Sequence, residues 1–191
     1  VTSTAIKRLS KVQYQNSVQN FLKSFLDQSS VEQVLLKVEP YMDGIPEDAS
    51  EGFDRNASLV SLAHVESYFE VAYKVGTTVE NDMRTSLVKF CPESGGNKNF
   101  LNQSSCRQKV VGNLGKVAFR RPLSSVEVSD FSQLVVDSSN QYGPMIVQML
   151  ASPRFTYQLY MDGSVVSGTQ GQNALYELNK YELADRLALL F

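Results

Sequence analysis

Three arginines are the side chains in this sequence best suited to holding an anionic ligand, and Asp54 is the aspartate that could converge on the same pocket. Arg120 and Arg121 stand side by side before a proline, and Arg154 directly follows another proline. A guanidinium group presents a rigid fork of donors that matches a carboxylate or a phosphate. Arginines near a helix C-terminus also stabilise its last carbonyls, and Arg154 could bridge a kink to Asp54 or Glu66. A structural role is therefore favoured over ligand binding. The candidate ligand-binding residues are Arg120, Arg121, Arg154 and Asp54.

The two cysteines, Cys91 and Cys106, bound a segment rich in Gly, Asn and Ser. We predict a disulfide between them. Closing a loop of this size stabilises a fold by roughly 3 kcal/mol on the chain-entropy model, and such bonds persist in oxidising compartments. The alternative is a pair of unrelated thiols in a reducing cytosol. No metal site is predicted, because two cysteines without nearby histidines supply too few ligands.

The other side chains that could take part in catalysis or metal binding have no matching partners in the sequence. The acidic segment from Tyr41 to Asn56 offers carboxylates to Ca²⁺ but lacks the alternating ligand spacing of a calcium loop, which favours a solvated loop. His64 is the only histidine and has no matched nucleophile or companion ligands. A glycine-rich phosphate loop and a Cys-x-x-Cys-His haem signal are both missing from the sequence. We therefore predict no catalytic residue and no cofactor.

Composition limits the class of protein. The chain has 191 residues, 42% of them hydrophobic, which is enough to bury a core without a metal. Its 18 Lys and Arg nearly balance 20 Asp and Glu, so nucleic acid is an unexpected partner. No apolar run approaches the about 20 residues that cross a bilayer. The sequence opens on Val1, from which we hypothesise a mature or trimmed form.

Helical periodicity dominates the first half of the chain. Apolar spacing predicts helices from Arg8 to Leu26, with Ser10 as N-cap, from Val31 to Val38, ending at Pro40, and from Ser58 to Val79. On the last of these, the predicted core residues are Leu62, Val65, Tyr68, Phe69, Ala72 and Val75. Asp82 to Phe90 could continue as a helix.

Helical periodicity also dominates the second half of the chain. We predict helices from Cys106 to Phe119, from a Ser124 and Glu127 capping box to Val136, from Tyr142 to Tyr160 with a break at Pro153, and from Leu178 to Phe191. Gly112 and Gly115 are expected to permit close helix packing. No alternating strand pattern is present. The predicted fold is therefore all-α, an irregular bundle of about six to eight helices with long loops and one disulfide.

Three regions are expected along the chain. Residues 1–90 form an N-terminal helical half with the acidic loop, residues 91–163 the Cys-bounded loop and central helices, and residues 164–191 a linker and the first helix of a following domain. The apolar run from Ala188 to Phe191 has no cap or polar tail. We expect more protein to follow it, and a partner surface to cover it.

Six short motifs occur in a fixed order along nearly the whole chain. They are Arg8-Leu9-Ser10 with Tyr14 and Asn16; Gly52-Phe53-Asp54-Arg55-Asn56-Ala57; Cys91-Pro92 with Cys106; Ala118-Phe119-Arg120-Arg121-Pro122-Leu123; Ser152-Pro153-Arg154-Phe155; and Tyr181-Glu182-Leu183-Ala184-Asp185-Arg186-Leu187. In these motifs the chain resembles planctomycete-type secreted proteins of the domain-of-unknown-function 1592 group, with the associated 1587 and 1595 domains. Those proteins are often linked to c-type cytochrome domains.

The resemblance implies a bacterial, exported, helix-rich protein, of which this chain is the N-terminal part. The implied location is the periplasm, the outer membrane or the cell surface. Our leading hypothesis is an extracytoplasmic interaction or scaffolding module, not an enzyme on its own. Its expected partners are other protein chains, its own C-terminal continuation or a c-type cytochrome. The alternative is the non-haem portion of an extracellular oxidative or polymer-degrading enzyme working with a c-type cytochrome.

Overall fold

The computed structural model describes residues 7–47, 61–158, 164–166 and 176–188. Its first half consists of β1 (Lys7–Arg8), α1 (Lys11–Lys23), α2 (Gln28–Asp43), α3 (Leu62–Thr78), a π-helical turn (Val79–Met83) and a 3₁₀ segment (Arg84–Phe90). Short 3₁₀ turns at Pro92–Ser94 and Lys98–Asn102 lead to α4 (Ser104–Ala118), α5 (Ser125–Asp137), α6 (Gly143–Ala151) and α7 (Pro153–Thr156). The remaining described elements are β2 (Tyr157–Gln158), β3 (Ser164–Val165), β4 (Tyr176–Glu177) and α8 (Lys180–Ala188).

The all-α prediction is confirmed, with eight α-helices in the described residues. Local capping explains where several of them begin. Ser10 and Gln13 form a reciprocal capping box at α1, and Ser124 and Glu127 form one at α5, as predicted. Asp27 caps α2 by accepting from the backbone N–H of Ser30 at 2.8 Å. Acidic and hydroxyl side chains thus satisfy backbone donors that the first helical turn leaves unpaired.

The prediction that Pro40 ends the second helix is wrong, because α2 continues through it to Asp43. Proline lacks the N–H that would bond to the carbonyl of Leu36. Leu36 and Pro40 both lie on the exposed side of α2, where water can solvate that carbonyl. Buried Val38 and Met42 hold the opposite side against the core on either side of the proline. Packing therefore overrides the helix-breaking residue.

The core is centred on α3, which packs against α2 on one side and most extensively against α6 on the other. At the crossing of α3 and α6, Gly76 and Gly143 face each other. A Cβ on Gly76 would lie 2.7 Å from the carbonyl oxygen of Gly143, and one on Gly143 would lie 3.0 Å from that of Gly76. The two backbones approach closely because both side chains are absent.

Two other glycines were predicted to permit close packing, and only one does. A Cβ on Gly115 would collide with the side chain of Leu123, so Gly115 is needed for the turn after α4 to fold back. Gly112 has nothing within 4 Å of the same position, and the prediction is wrong there. The difference arises because Gly112 is only half-buried, whereas Gly115 is buried.

Two short antiparallel strand pairs join distant parts of the chain. Lys7 pairs with Gln158 and Arg8 with Tyr157, while β3 pairs with β4. Two residues per strand are too few to produce a detectable alternating pattern. In the first pair, the side chain of Arg8 is buried. Its guanidinium donates to the hydroxyl of Tyr68 at 2.9 Å and to the carbonyl of Leu9 at 3.0 Å.

A disulfide joins Cys91 to Cys106, as predicted, with the two Cα atoms 5.5 Å apart. Both cysteines are buried, and the bond ties the 3₁₀ segment after α3 to the first turn of α4. Within the described ranges, no helix has the length and apolar character needed to cross a membrane.

Candidate functional site

Arg120 closes the C-terminal end of α4 in a left-handed backbone conformation, with φ of 56°. Its guanidinium donates to the hydroxyl of Ser17 in α1 at 3.0 Å and to the carbonyl of Phe155 in α7 at 3.4 Å. It also lies 5.8 Å from the centroid of the Phe155 ring, within the range of a cation–π contact. Arg120 thus links three helices that are distant in sequence.

Arg121 forms a bidentate ion pair with Glu127. Its two terminal nitrogens donate to the two carboxylate oxygens at 2.9 and 2.7 Å. Glu127 also accepts from the backbone N–H of Ser124, which completes the capping box of α5. Hydrogen bonding from Arg121 is the main cause that lowers the pKa of Glu127 to about 2. This carboxylate is therefore ionised at all physiological pH values.

Arg154 approaches the same carboxylate, with its Nε atom 3.9 Å from Oε1 of Glu127. The structure therefore brings Arg121 and Arg154 together around Glu127, while Arg120 points towards Ser17 and Phe155. Asp54, the fourth predicted residue, lies outside the described residues. The contacts of Arg121 and Arg154 with Glu127 join the α4–α5 turn to α7. Ligand binding by these residues stays a prediction.

Glu80, which sequence reasoning missed, organises the region where α6 begins. One of its carboxylate oxygens accepts from Arg84 at 3.1 Å, and the other accepts from the backbone N–H groups of Tyr142 and Gly143 at 2.6 and 3.0 Å. A carboxylate at a helix N-terminus satisfies unpaired donors and is favoured by the helix dipole. The i, i+4 spacing of Glu80 and Arg84 was the available sequence signal.

His64 and the described end of the acidic segment both contact protein groups. His64 is buried, and its Nδ1 atom lies 2.8 Å from the hydroxyl of Ser61 at the start of α3. In the described part of the acidic segment, Lys11 donates to Glu47 at 2.6 Å and to the carbonyl of Asp43 at 3.0 Å. The remaining carboxylates of this segment, those of Asp48, Glu51 and Asp54, lie outside the described residues.

An exposed apolar face on α3 is the largest departure from the sequence prediction. Leu62, Val65 and Phe69 were expected in the core, but together with Tyr73 they are 71%, 52%, 53% and 57% exposed, in chain order. Their spacing places them on one side of the helix. The buried side instead carries His64, Tyr68, Val71, Ala72 and Val75. We call the four exposed residues the α3 apolar face.

A groove runs along α6 beside this face. Two adjoining depressions, of about 410 and 470 Å³, share Pro144 and Val147 of α6. Tyr73 borders the first, while Phe69 of α3 and Leu134 of α5 border the second, which also includes Ala151. We call this continuous channel the α6 groove. The surface of both depressions is mostly apolar, with Thr77, Glu80 and Gln141 among the polar side chains in the lining of the first.

A third depression, of about 500 Å³, lies between α1 and α2 and is more polar. Gln15, Gln19, Glu39 and Asp43 are among its lining residues, together with the exposed side chain of Leu36. It provides a surface with which the α6 groove can be compared experimentally.

In the described residues, the fold and these surfaces define an all-α, disulfide-bonded helical domain with an exposed apolar face and an apolar groove. Residues 7–80 match the family model described as PSD3, protein of unknown function (DUF1587). The matched range extends from β1 through α3 to Glu80, so α5 and α6 lie outside it. This match confirms the 1587 part of the resemblance, whereas the 1592 and 1595 domains and the cytochrome link stay predictions. No curated protein and no solved structure matches the chain.

Proposed function

We propose that this protein is an extracytoplasmic helical interaction module that works as one piece of a larger polypeptide or multi-chain assembly. The α6 groove, with the α3 apolar face beside it, is the observation that carries the proposal. Burying apolar surface yields roughly 25 cal/mol per Å², so a partner that covers this groove gains a favourable contribution to binding. The proposed partners are other protein chains, including a c-type cytochrome.

Two further observations support the proposal. The Cys91–Cys106 disulfide suits an oxidising compartment, because structural disulfides are rare where thiols are kept reduced. The pairing of Arg121 and Arg154 with Glu127 gives these arginines a bracing role, which favours an interaction module over an enzyme. A catalytic site would instead need convergent polar groups open to a ligand in a pocket.

Position-specific photo-crosslinking in the cells that naturally make this protein tests the proposal. A photoreactive residue in place of Phe69 is expected to yield a discrete adduct with one protein, identified by mass spectrometry in the extracytoplasmic fraction. The same residue at Leu36, which is also exposed but lies in the α1–α2 depression, is the matched control. Equal adducts from both positions, or none from Phe69, would contradict the proposal, as would recovery of the protein in the cytoplasm.

A further inference from the structure

The α6 groove has the dimensions of a helix-binding channel. Its floor follows α6, whose nine residues extend for about 14 Å. The walls are Phe69 and Tyr73 on one side and Leu134 on the other. Amphipathic helices bind such channels through apolar side chains spaced three or four residues apart. About three turns of a partner helix would therefore lie along the floor.

The walls of the groove are acidic. On α3, the exposed Glu66 lies three residues before Phe69 and the exposed Glu70 three residues before Tyr73. On α5, the exposed Asp130 lies four residues before Leu134 and the exposed Asp137 three residues after it. Neighbours at these spacings lie on the same side of a helix as the wall residues. Carboxylates therefore flank both sides of the apolar channel.

Few positive charges offset these carboxylates. On the three helices that form the groove, α3, α5 and α6, the only lysine or arginine is Lys74. Lys74 lies four residues after Glu70, but its ammonium group is directed to α2, 5.7 Å from the centroid of the Tyr41 ring. Arg84 donates to Glu80, which lines one end of the groove, and Arg154 follows Pro153, which lines the other end. Each of these arginines is directed to a carboxylate, Arg84 to Glu80 and Arg154 to Glu127. Since the whole chain has a net charge of only −2, the acidity is a local property.

We propose that the α6 groove binds an amphipathic helix of a partner polypeptide, with apolar residues against Phe69, Tyr73, Leu134 and Val147 and with lysines or arginines along its edges. This inference rests on the proposed function and names the chemistry of the partner. Opposite charges across an interface speed association and select the partner. A second copy of this chain is a poorer occupant, because it would bring two acidic walls together.

A synthetic peptide provides the test. The probe is a helical peptide of about 15 residues with leucines on one face, lysines on the others and a single tryptophan. Because the protein contains no tryptophan, the fluorescence of the peptide reports binding alone. We expect saturable binding to the intact, disulfide-bonded protein that weakens as salt is added. A matched peptide with glutamates in place of the lysines is expected to bind at least tenfold more weakly.

Variants locate the binding surface. Phe69→Ser and Tyr73→Ser are each expected to raise the dissociation constant about tenfold, and Glu66→Gln with Glu70→Gln about threefold. Leu36→Ser is expected to leave it unchanged, because Leu36 lines the α1–α2 depression. Far-ultraviolet circular dichroism checks that each variant is folded, as expected for exposed positions.

Three results would overturn the proposal. These are equal affinity for the glutamate peptide, loss of binding in Leu36→Ser instead of Phe69→Ser, and self-association in sedimentation equilibrium that Phe69→Ser abolishes. The last result would assign the groove to a second copy of this chain. If the lysine peptide fails to bind while the crosslink at Phe69 forms, the basic helix is wrong and the interaction function stands. If both fail, both proposals are wrong.

Discussion

Glu127 makes the stability of the α4–α5 turn depend on pH. Arg121 lowers the pKa of this carboxyl from its ordinary 4.5 to about 2, so its stabilisation is complete above pH 4.5 and is lost as the pH falls towards 2. Glu127→Gln removes the ion pair. Because water screens this half-buried carboxylate, we expect the free energy of unfolding at pH 7 to fall by about 1 to 2 kcal/mol. Urea denaturation measures this change.

The pH profile supplies the sharper comparison. Between pH 4.5 and 2, the difference in unfolding free energy between wild type and Glu127→Gln should shrink, since protonation removes the same ion pair from the wild type. Asp130→Asn, an exposed change on the same helix, is the control and should leave the profile unchanged. A constant difference across this pH range would show that the carboxylate charge is not the source of the effect.

Individual residues also show where sequence reasoning reaches its limit. The capping role of Glu127 was predictable because Ser124 stands three residues before it, but its partner Arg121 comes from the preceding turn and needs the fold. Phe69 was placed in the core because α3 carries apolar residues around much of its circumference. Periodicity alone does not say which of two apolar faces is buried.

At the scale of elements, the crossing of α3 and α6 depends on the absence of a side chain at Gly76. Gly76→Ala places a methyl group 2.7 Å from both the Gly143 carbonyl oxygen and Cγ2 of Val147. Because backbone cannot move aside cheaply, we expect a loss of about 1 to 3 kcal/mol in unfolding free energy. Thermal and urea denaturation would measure it.

Gly112→Ala is the matched control, since it makes the same chemical change inside α4, where nothing lies within 4 Å. Alanine lowers the entropy of the unfolded chain and favours a helix, so this variant should gain about 0.5 to 1 kcal/mol. If Gly76→Ala gained stability as Gly112→Ala does, intrinsic helix propensity rather than the α3–α6 contact would govern Gly76.

The elements themselves were largely predictable, and their departures have identifiable causes. Capping residues located the starts of α1 and α5, and Pro153 located the break between α6 and α7. The continuation of α2 through Pro40 and the π-helical turn at Glu80 depend instead on tertiary contacts. Buried Val38 and Met42 hold α2 against the core around Pro40. The backbone N–H groups of Tyr142 and Gly143 donate to Glu80 in the π-helical turn.

At the scale of the whole molecule, the disulfide between Cys91 and Cys106 closes a loop that spans 15 positions of the chain and ends in α4. Replacing both buried cysteines, as Cys91→Ala with Cys106→Ala, should lower the unfolding free energy by about 3 kcal/mol, because the unfolded chain regains the freedom that the bond removes. Denaturation midpoints in urea, with and without a reductant, measure this effect.

The reductant serves as the internal control. It should destabilise the wild type towards the level of the double variant and leave the variant unchanged, since the described residues contain no free cysteine. Equal stability of oxidised wild type and double variant would mean that packing, rather than chain connectivity, holds the two segments together.

The pairing of β1 with β2 also determines how the molecule responds to a pulling force. Lys7 lies opposite Gln158, so the chain enters and leaves the body formed by residues 7–158 at one end of the same ladder. A force that separates these two points acts along the hydrogen bonds of that ladder and breaks them one after another. The next contacts are the hydrogen bond from the Leu9 N–H to the Thr156 carbonyl at 2.9 Å and the buried contact of Arg8 with Tyr68 of α3. Tension therefore reaches the helices and the α6 groove only after the hydrogen bonds between β1 and β2 have broken.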